Sequence, residues 1–295
     1  DPVNWGWLCD RGRFNFEAVK SEHRVLQPLV REGDELLPAS WNTALAAAAA
    51  LITEAKAAGG VAGIAVIGGA RGTNEDAFAW ARVGHEVIGT PNVYSQMGDG
   101  LPVGLLGLDR ATIDEAASAA TIVLLGPDLK EELPVLYLRL RDAAAKQRSR
   151  IIELTPKHTG LTRNAWRSIG YEPGTQVAAV QGALADGAIA AQLAKGNVVI
   201  VAGRANLAES SAATIAALHA LLAAVPGAKV LPAFRRGNVV GALQVGVRPG
   251  KGGLDTRGAL QAAADGKIEC LVLLGADPLA DFPDTDLARR ALAGA

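Results

Sequence analysis

"TIVLLGPDLKEELPV" runs from Thr121 to Val135, and "CLVLLGADPLADFPD" runs from Cys270 to Asp284. Each opens as an apolar run, closes on Leu-Leu-Gly, and continues through an aspartate and further acids to a proline. A short continuous apolar run stopped by glycine predicts a strand buried on both faces. The acids behind it suit the first turn of a helix, where the macrodipole favours negative charge. The chain thus carries one β-loop-helix unit twice. This predicts two Rossmann-like, parallel-sheet α/β layers with similar loops at the carboxyl ends of their strands. Open α/β sheets bind ligands at that edge.

Working outward, the same reading extends over the chain. "VAGIAVIGG" (61–69), "ATIVLLG" (120–126), "RIIELTP" (150–156), "NVVIVAG" (197–203), "AKVLPAF" (228–234) and "IECLVLLG" (268–275) are expected strands. Helical spacing covers 74–89, 131–147, 177–195, 209–225 and 284–294. Asn74 is the expected cap of the first of these, and Pro134 falls in the first turn of the second, where its missing N–H costs nothing. "QPLVREGDELLPASW" (27–41) reads as a hairpin turning at Gly33-Asp34, with Ser40 capping the first long helix. "RPGKGGLDTRG" (248–258) reads as a glycine-rich loop.

Composition narrows the function classes. Of 295 residues, 49% are hydrophobic and 20% charged, so a large core is available and disorder is not expected. The formal net charge of −1 carries no basic excess of the kind that marks a nucleic-acid partner. The longest apolar run, "ALAAAAALI" (44–52), is far short of the ~20 residues that cross a bilayer, and is expected as a buried helix. The opening "DPVNWGW" has no secretory pattern, and two cysteines make no disulfide framework, so a reducing, cytoplasmic setting is expected.

Several residues carry candidate chemistry. The glycine-ended stretches "IGGARGTNE" (67–75), "LLGPDLKEE" (124–132) and "LLGADPLAD" (273–281) are candidate cradles for a phosphate or a pterin. None matches a dinucleotide fingerprint or a P-loop. Asp128, Glu131, Glu132, Asp277 and Asp281 oppose an anion there, and as first-turn acids are expected to cap helices. His23, His85, His158 and His219 are scattered, with no pair at metal-ligand spacing. No G-x-S-x-G supports serine hydrolysis. Cys270 opens a strand and reads as a small buried hydrophobe. Cys9 differs: in "GWLCDRGRF" (6–14) the neighbouring Arg11 and Arg13 favour its thiolate. Thiolates ligate iron–sulfur clusters, usually four to a cluster, and Cys9 offers one.

The order of these stretches resembles the molybdopterin oxidoreductase family over nearly the whole chain. "WLCDRGRFNFEAVKSEHRVLQPLVR" is similar to the segment that closes the family's iron–sulfur subdomain and supplies the last of four cysteines. "LPASWNTAL" is similar to the entry into the first α/β domain. The stretches beginning at Thr121 and at Gly266 are similar to the two strands whose following loops hold the cofactor. The resemblance is closest to one branch, the G subunits of bacterial NADH-quinone oxidoreductase (respiratory complex I) in their actinobacterial form.

That resemblance implies the end of an iron–sulfur subdomain at 1–35. It also implies a discontinuous α/β domain at 36–100 plus 180–295 and an inserted α/β domain at 101–179. Cys9 would be the fourth ligand of a 4Fe-4S cluster whose other ligands lie upstream, and its iron the only metal expected. Two departures from the catalytic members stand out. "GTPNVYSQMGDGLPVG" (89–104) has no metal-ligating cysteine, leaving Ser95 or Asp99 as oxygen ligands. Thr155 stands where the family places a nucleotide-binding aspartate.

Together these imply a scaffold without molybdopterin and without catalytic residues of its own. It would form an internal portion of a longer, peripheral-arm subunit on the cytoplasmic side of the inner membrane. Its partners would be other subunits of the complex, with no nucleic acid and no direct membrane insertion. An active formate dehydrogenase-like enzyme, with Asp99 as metal ligand, and a nucleotide-binding α/β module without redox role are the competing readings.

Overall fold

The computed structural model describes residues 3–98, 100–204 and 209–295, apart from the side chain of Arg11. Ten strands are present among them: β1 (Leu29–Glu32), β2 (Glu35–Pro38), β3 (Ile64–Gly68), β4 (Val93–Tyr94), β5 (Thr121–Leu125), β6 (Arg150–Thr155), β7 (Arg167–Gly170), β8 (Val198–Ala202), β9 (Lys229–Pro232) and β10 (Cys270–Leu274). β1 and β2 form the expected hairpin, with Glu32 opposite Glu35 across the Gly33-Asp34 turn.

The chain divides into two compact units, Asp1–Asp10 with Asp99–Arg235, and Arg11–Gly98 with Arg236–Ala295. The first holds a five-stranded parallel sheet in the order β7-β6-β5-β8-β9. The second holds a three-stranded parallel sheet, β10-β3-β4. The repeated stretches supply a strand to each sheet, β5 and β10. Every residue of β3, β5 and β8 is buried, which is why these strands read as unbroken apolar runs. β10 lies at the edge of its sheet, and four of its five residues are only half-buried.

Several expected boundaries move. β8 and β9 pair in the sheet of β5, so the expected return to the outer domain at residue 180 falls inside the first unit, which runs on to Arg235. The 131–147 helix is two: Leu129–Glu132 and Pro134–Ala145. Leu133 between them sits at φ −137°, ψ 68°, since a residue before proline is excluded from the helical region. The 177–195 helix also divides, at Asp186, whose carboxylate accepts from the backbone N–H groups of Ala188 and Ile189 and so caps a new helix.

Thr73, not Asn74, caps the helix at 74. It forms a reciprocal box with Asp76 (3.0 and 3.2 Å), while the Asn74 amide oxygen accepts from Asn238. That helix passes at Val83–Ile88 into a π-turn, where the N–H groups of Gly89 and Thr90 both reach the Gly84 carbonyl. The alanine run at 44–52 is helical, within Trp41–Gly59 and capped by Ser40, but it is not buried: Ala55 is the one fully covered residue of that helix. Trp41 remains 70% exposed. Alanine repeats report helix propensity rather than burial.

No helix among the described residues is long and apolar enough to cross a membrane. Leu140, fully buried against the sheet of the first unit, tests the packing there. Leu140→Ala is expected to cost about 2–5 kcal/mol, read as a lower denaturant midpoint for that unit.

Candidate functional site

The segment before Cys9 is built around a turn. The N–H of Trp7 reaches the carbonyl of Asn4 at 2.8 Å, and the N–H of Gly6 reaches the Asn4 side chain at 3.0 Å. Trp5 and Trp7 meet edge to face, 5.1 Å between centroids. Beneath them lies Arg139 of the Pro134–Ala145 helix, only 1% exposed. Its guanidinium stands 4.1 Å over the Trp5 ring, donates to the Val3 carbonyl at 2.9 Å, and pairs with Asp114. Cys9 follows as a half-buried free thiol at the start of the Asp10–Phe14 helix. No group of three or more His, Cys, Asp or Glu that could hold a metal occurs among the described residues. From these residues, Cys9 offers a single ligand.

The carboxyl ends of the strands are occupied by the protein's own groups. Asp128 and Asp277, equivalent in the repeated stretches, both cap the short helices behind their strands, accepting from the N–H groups of Lys130 and Leu279. Gly68, at φ +115°, lies so close to β10 that a Cβ there would overlap the Leu274 carbonyl oxygen and Ala276 Cβ. The Gly69 N–H then donates to that carbonyl at 2.8 Å. Arg71, just beyond, donates twice to Asp281, at 2.6 and 2.9 Å, and Arg236 stands 3.5 Å from the same carboxylate. The Arg71 hydrogen bond, followed by the charges of Arg71 and Arg236, holds the Asp281 carboxyl below its ordinary range against the opposing effect of burial. In the first unit, the strand order reverses between β5 and β8. There Pro127 packs against Gly203, whose added Cβ would lie 2.6 Å from the proline ring.

The residues singled out for cofactor binding are placed as follows. The Thr155 hydroxyl is engaged locally, donating to the Lys157 carbonyl at 2.9 Å, and offers no carboxylate for a nucleotide. Ser95 is 1% exposed, and its hydroxyl finds no partner among the described residues. Asp99 lies outside the described residues. His23, His158 and His219 are exposed, and His85 contacts the carbonyls of Gly246 and Arg248. Burial pushes the Cys270 thiol up, as for a packing residue.

Arg139 and Glu153 went unnoticed in the sequence. The signal was there: Arg139 interrupts the buried helical spacing of Leu136, Leu140 and Ala143, and Glu153 sits inside an apolar strand. Glu153 is fully buried and accepts from the hydroxyls of Thr159, Thr162 and Ser168.

The sequence model of molybdopterin oxidoreductases matches residues 24–294, and the chain belongs to that family. Among its relatives, the G subunit of the NADH-quinone oxidoreductase of Mycobacterium bovis is 32% identical over 99% of this chain and 40% of that protein. That of Streptomyces coelicolor is 28% identical over 98% of this chain and 40% of that protein. The alpha subunit of the NADPH-Fe(3+) oxidoreductase of Geobacter sulfurreducens is 26% identical over 98% and 43%. The chain therefore spans about 40% of the length of the curated relatives it matches.

Two outcomes check this geometry. A carboxyl held low contributes stability above its unfolded value of about 3.9 and loses it as pH falls through the lower folded value. Asp281→Asn is therefore expected to destabilise the second unit at pH 7, with the difference from the parent shrinking below about pH 4 in melting curves. Arg139→Met keeps the apolar stem but loses the Asp114, Val3 and Trp5 contacts. Faster proteolysis of the segment before Cys9 and a shift in tryptophan fluorescence are expected.

Proposed function

We propose that this chain is part of the G subunit of an NADH-quinone oxidoreductase, respiratory complex I. In that role it belongs to the peripheral arm, on the cytoplasmic side of the membrane, among the subunits that pass electrons from NADH through iron–sulfur clusters toward quinone. Cys9 is the fourth ligand of a 4Fe-4S cluster, the other three coming from upstream residues. The α/β units are a scaffold that keeps the molybdopterin-type fold without its cofactor or an active site of its own.

What carries this reading is Thr155, tied into its own turn where a catalytic relative places a nucleotide-binding aspartate. It is supported by the capping roles of Asp128 and Asp277 and by the relatives named as G subunits of NADH-quinone oxidoreductase. A cluster at Cys9 supplies one-electron transfer. Arg139 and the paired tryptophans anchor the turn that immediately precedes the thiol.

A second reading, a catalytic molybdopterin enzyme, is favoured by the buried Ser95 hydroxyl beyond β4, which has no partner among the described residues and lies in the stretch where a metal ligand would lie. Metal analysis and EPR of the assembled complex separate the two. The scaffold reading expects molybdenum and tungsten well below stoichiometric, and loss of one reduced 4Fe-4S signal in Cys9→Ala. Stoichiometric molybdenum that falls in Ser95→Ala would establish the second reading instead.

A further inference from the structure

We infer that the cleft between the Pro134–Ala145 helix and the loop at 158–164 binds a small polyphosphate, the group carried by nucleoside di- and triphosphates. The cleft has a volume of about 810 Å³, within the range of small-molecule sites. It lies entirely in the first unit, and none of its lining residues belongs to the Cys9 segment.

One wall is held rigid from beneath. Glu153 on β6 accepts from the hydroxyls of Thr159 and Thr162, the Thr159 N–H donates to Thr162 at 2.9 Å, and the Gly160 N–H donates to Asp128 at 3.3 Å. The loop then rests directly on the opposite wall. A Cβ at Gly160 would lie 2.6 Å from Lys130 Cβ and 3.0 Å from the Tyr137 ring. A wall fixed this way loses little freedom when a ligand enters.

The charges on these walls suit an anion. Lys130, Arg141 and Arg163 line the cleft, and none makes an ion pair with a carboxylate among the described residues. Elsewhere in the unit, Arg139, Lys146, Arg148, Lys229 and Arg235 each meet one. Arg141 stands 5.8 Å from the Tyr137 ring, which positions its guanidinium along the helix wall, and His158 adds a ring nitrogen from the loop. Of the two acids present, Asp128 already accepts from two backbone N–H groups, and Glu131 leaves the cationic side in excess. Guanidinium and ammonium groups around a rigid pocket match phosphate oxygens by charge-assisted hydrogen bonds.

Titration calorimetry of the protein with pyrophosphate and with ATP tests the inference. One-to-one binding is expected, weakening as salt is raised. In the charge-reversed double variant Arg141→Glu, Arg163→Glu, the dissociation constant should rise at least about tenfold, or about 1.4 kcal/mol. Both positions are exposed, so the circular dichroism should be unchanged. Arg163→Lys should retain most of the affinity, and Gly160→Ala, which lifts the loop from Lys130 and Tyr137, should lower it. Tighter binding of ATP than of pyrophosphate identifies a nucleotide, and equal affinities a base-free polyphosphate. No heat with either ligand, or affinity indifferent to the charge reversal, overturns the inference and leaves the Cys9 reading untouched.

Discussion

The arrangement around Cys9 depends on one buried guanidinium. Arg139 sits on a helix face otherwise made of Leu136, Leu140 and Ala143, where an unpaired charge would cost several kcal/mol. Its position is tenable because Asp114, the Val3 carbonyl and the Trp5 ring converge on it. The dependence runs both ways. The helix keeps its buried charge because the amino-terminal segment is there, and that segment holds its course because the guanidinium is beneath it. Cys9 lies two residues beyond Trp7, directly after this anchored turn.

The strand ends carry a hydrogen-bond demand of their own. A parallel sheet leaves backbone N–H groups and carbonyls at its carboxyl edge, and these need partners whether or not a ligand arrives. Here Asp128 and Asp277 accept from the first N–H groups of the helices behind their strands, Thr155 donates to the loop carbonyl of Lys157, and the Gly69 N–H closes onto the Leu274 carbonyl. Side chains that answer the fold's own hydrogen-bond demand have fewer free acceptors and donors to offer a pterin cofactor at that edge. This supports the scaffold reading on physical grounds independent of the missing cysteine at 89–104.

The strands were legible because burial on both faces leaves an unbroken apolar run, as in β5 and β8. Turns and caps were legible where one residue type suffices, as at Ser40 and Gly33-Asp34. What escaped depended on competition between signals. The Thr112–Glu115 capping box was present in sequence, but the short Ile113–Ser118 helix behind it lacks a clear periodic face. Asp186 inside a helical run, and the Gly-rich stretch whose Asp255 opens the Thr256–Ala264 helix, were hidden in the same way. The extent of the inserted unit could not be read at all. It is decided by β8 and β9 pairing beside β5, contacts between residues far apart in sequence. The site was legible only as a lone thiol, since Arg139 and Glu153 take their meaning from neighbours that folding supplies.

The half-buried strand β10 has a practical consequence. Among the described residues no strand pairs with the outer side of β10, and the sequence Cys-Leu-Val-Leu-Leu offers no lysine or proline to blunt that edge. Such an edge templates pairing with any extended apolar segment it meets. Handled alone at high concentration, the chain would tend to self-associate along this ladder, and solubility screens would report on β10 before they reported on anything functional.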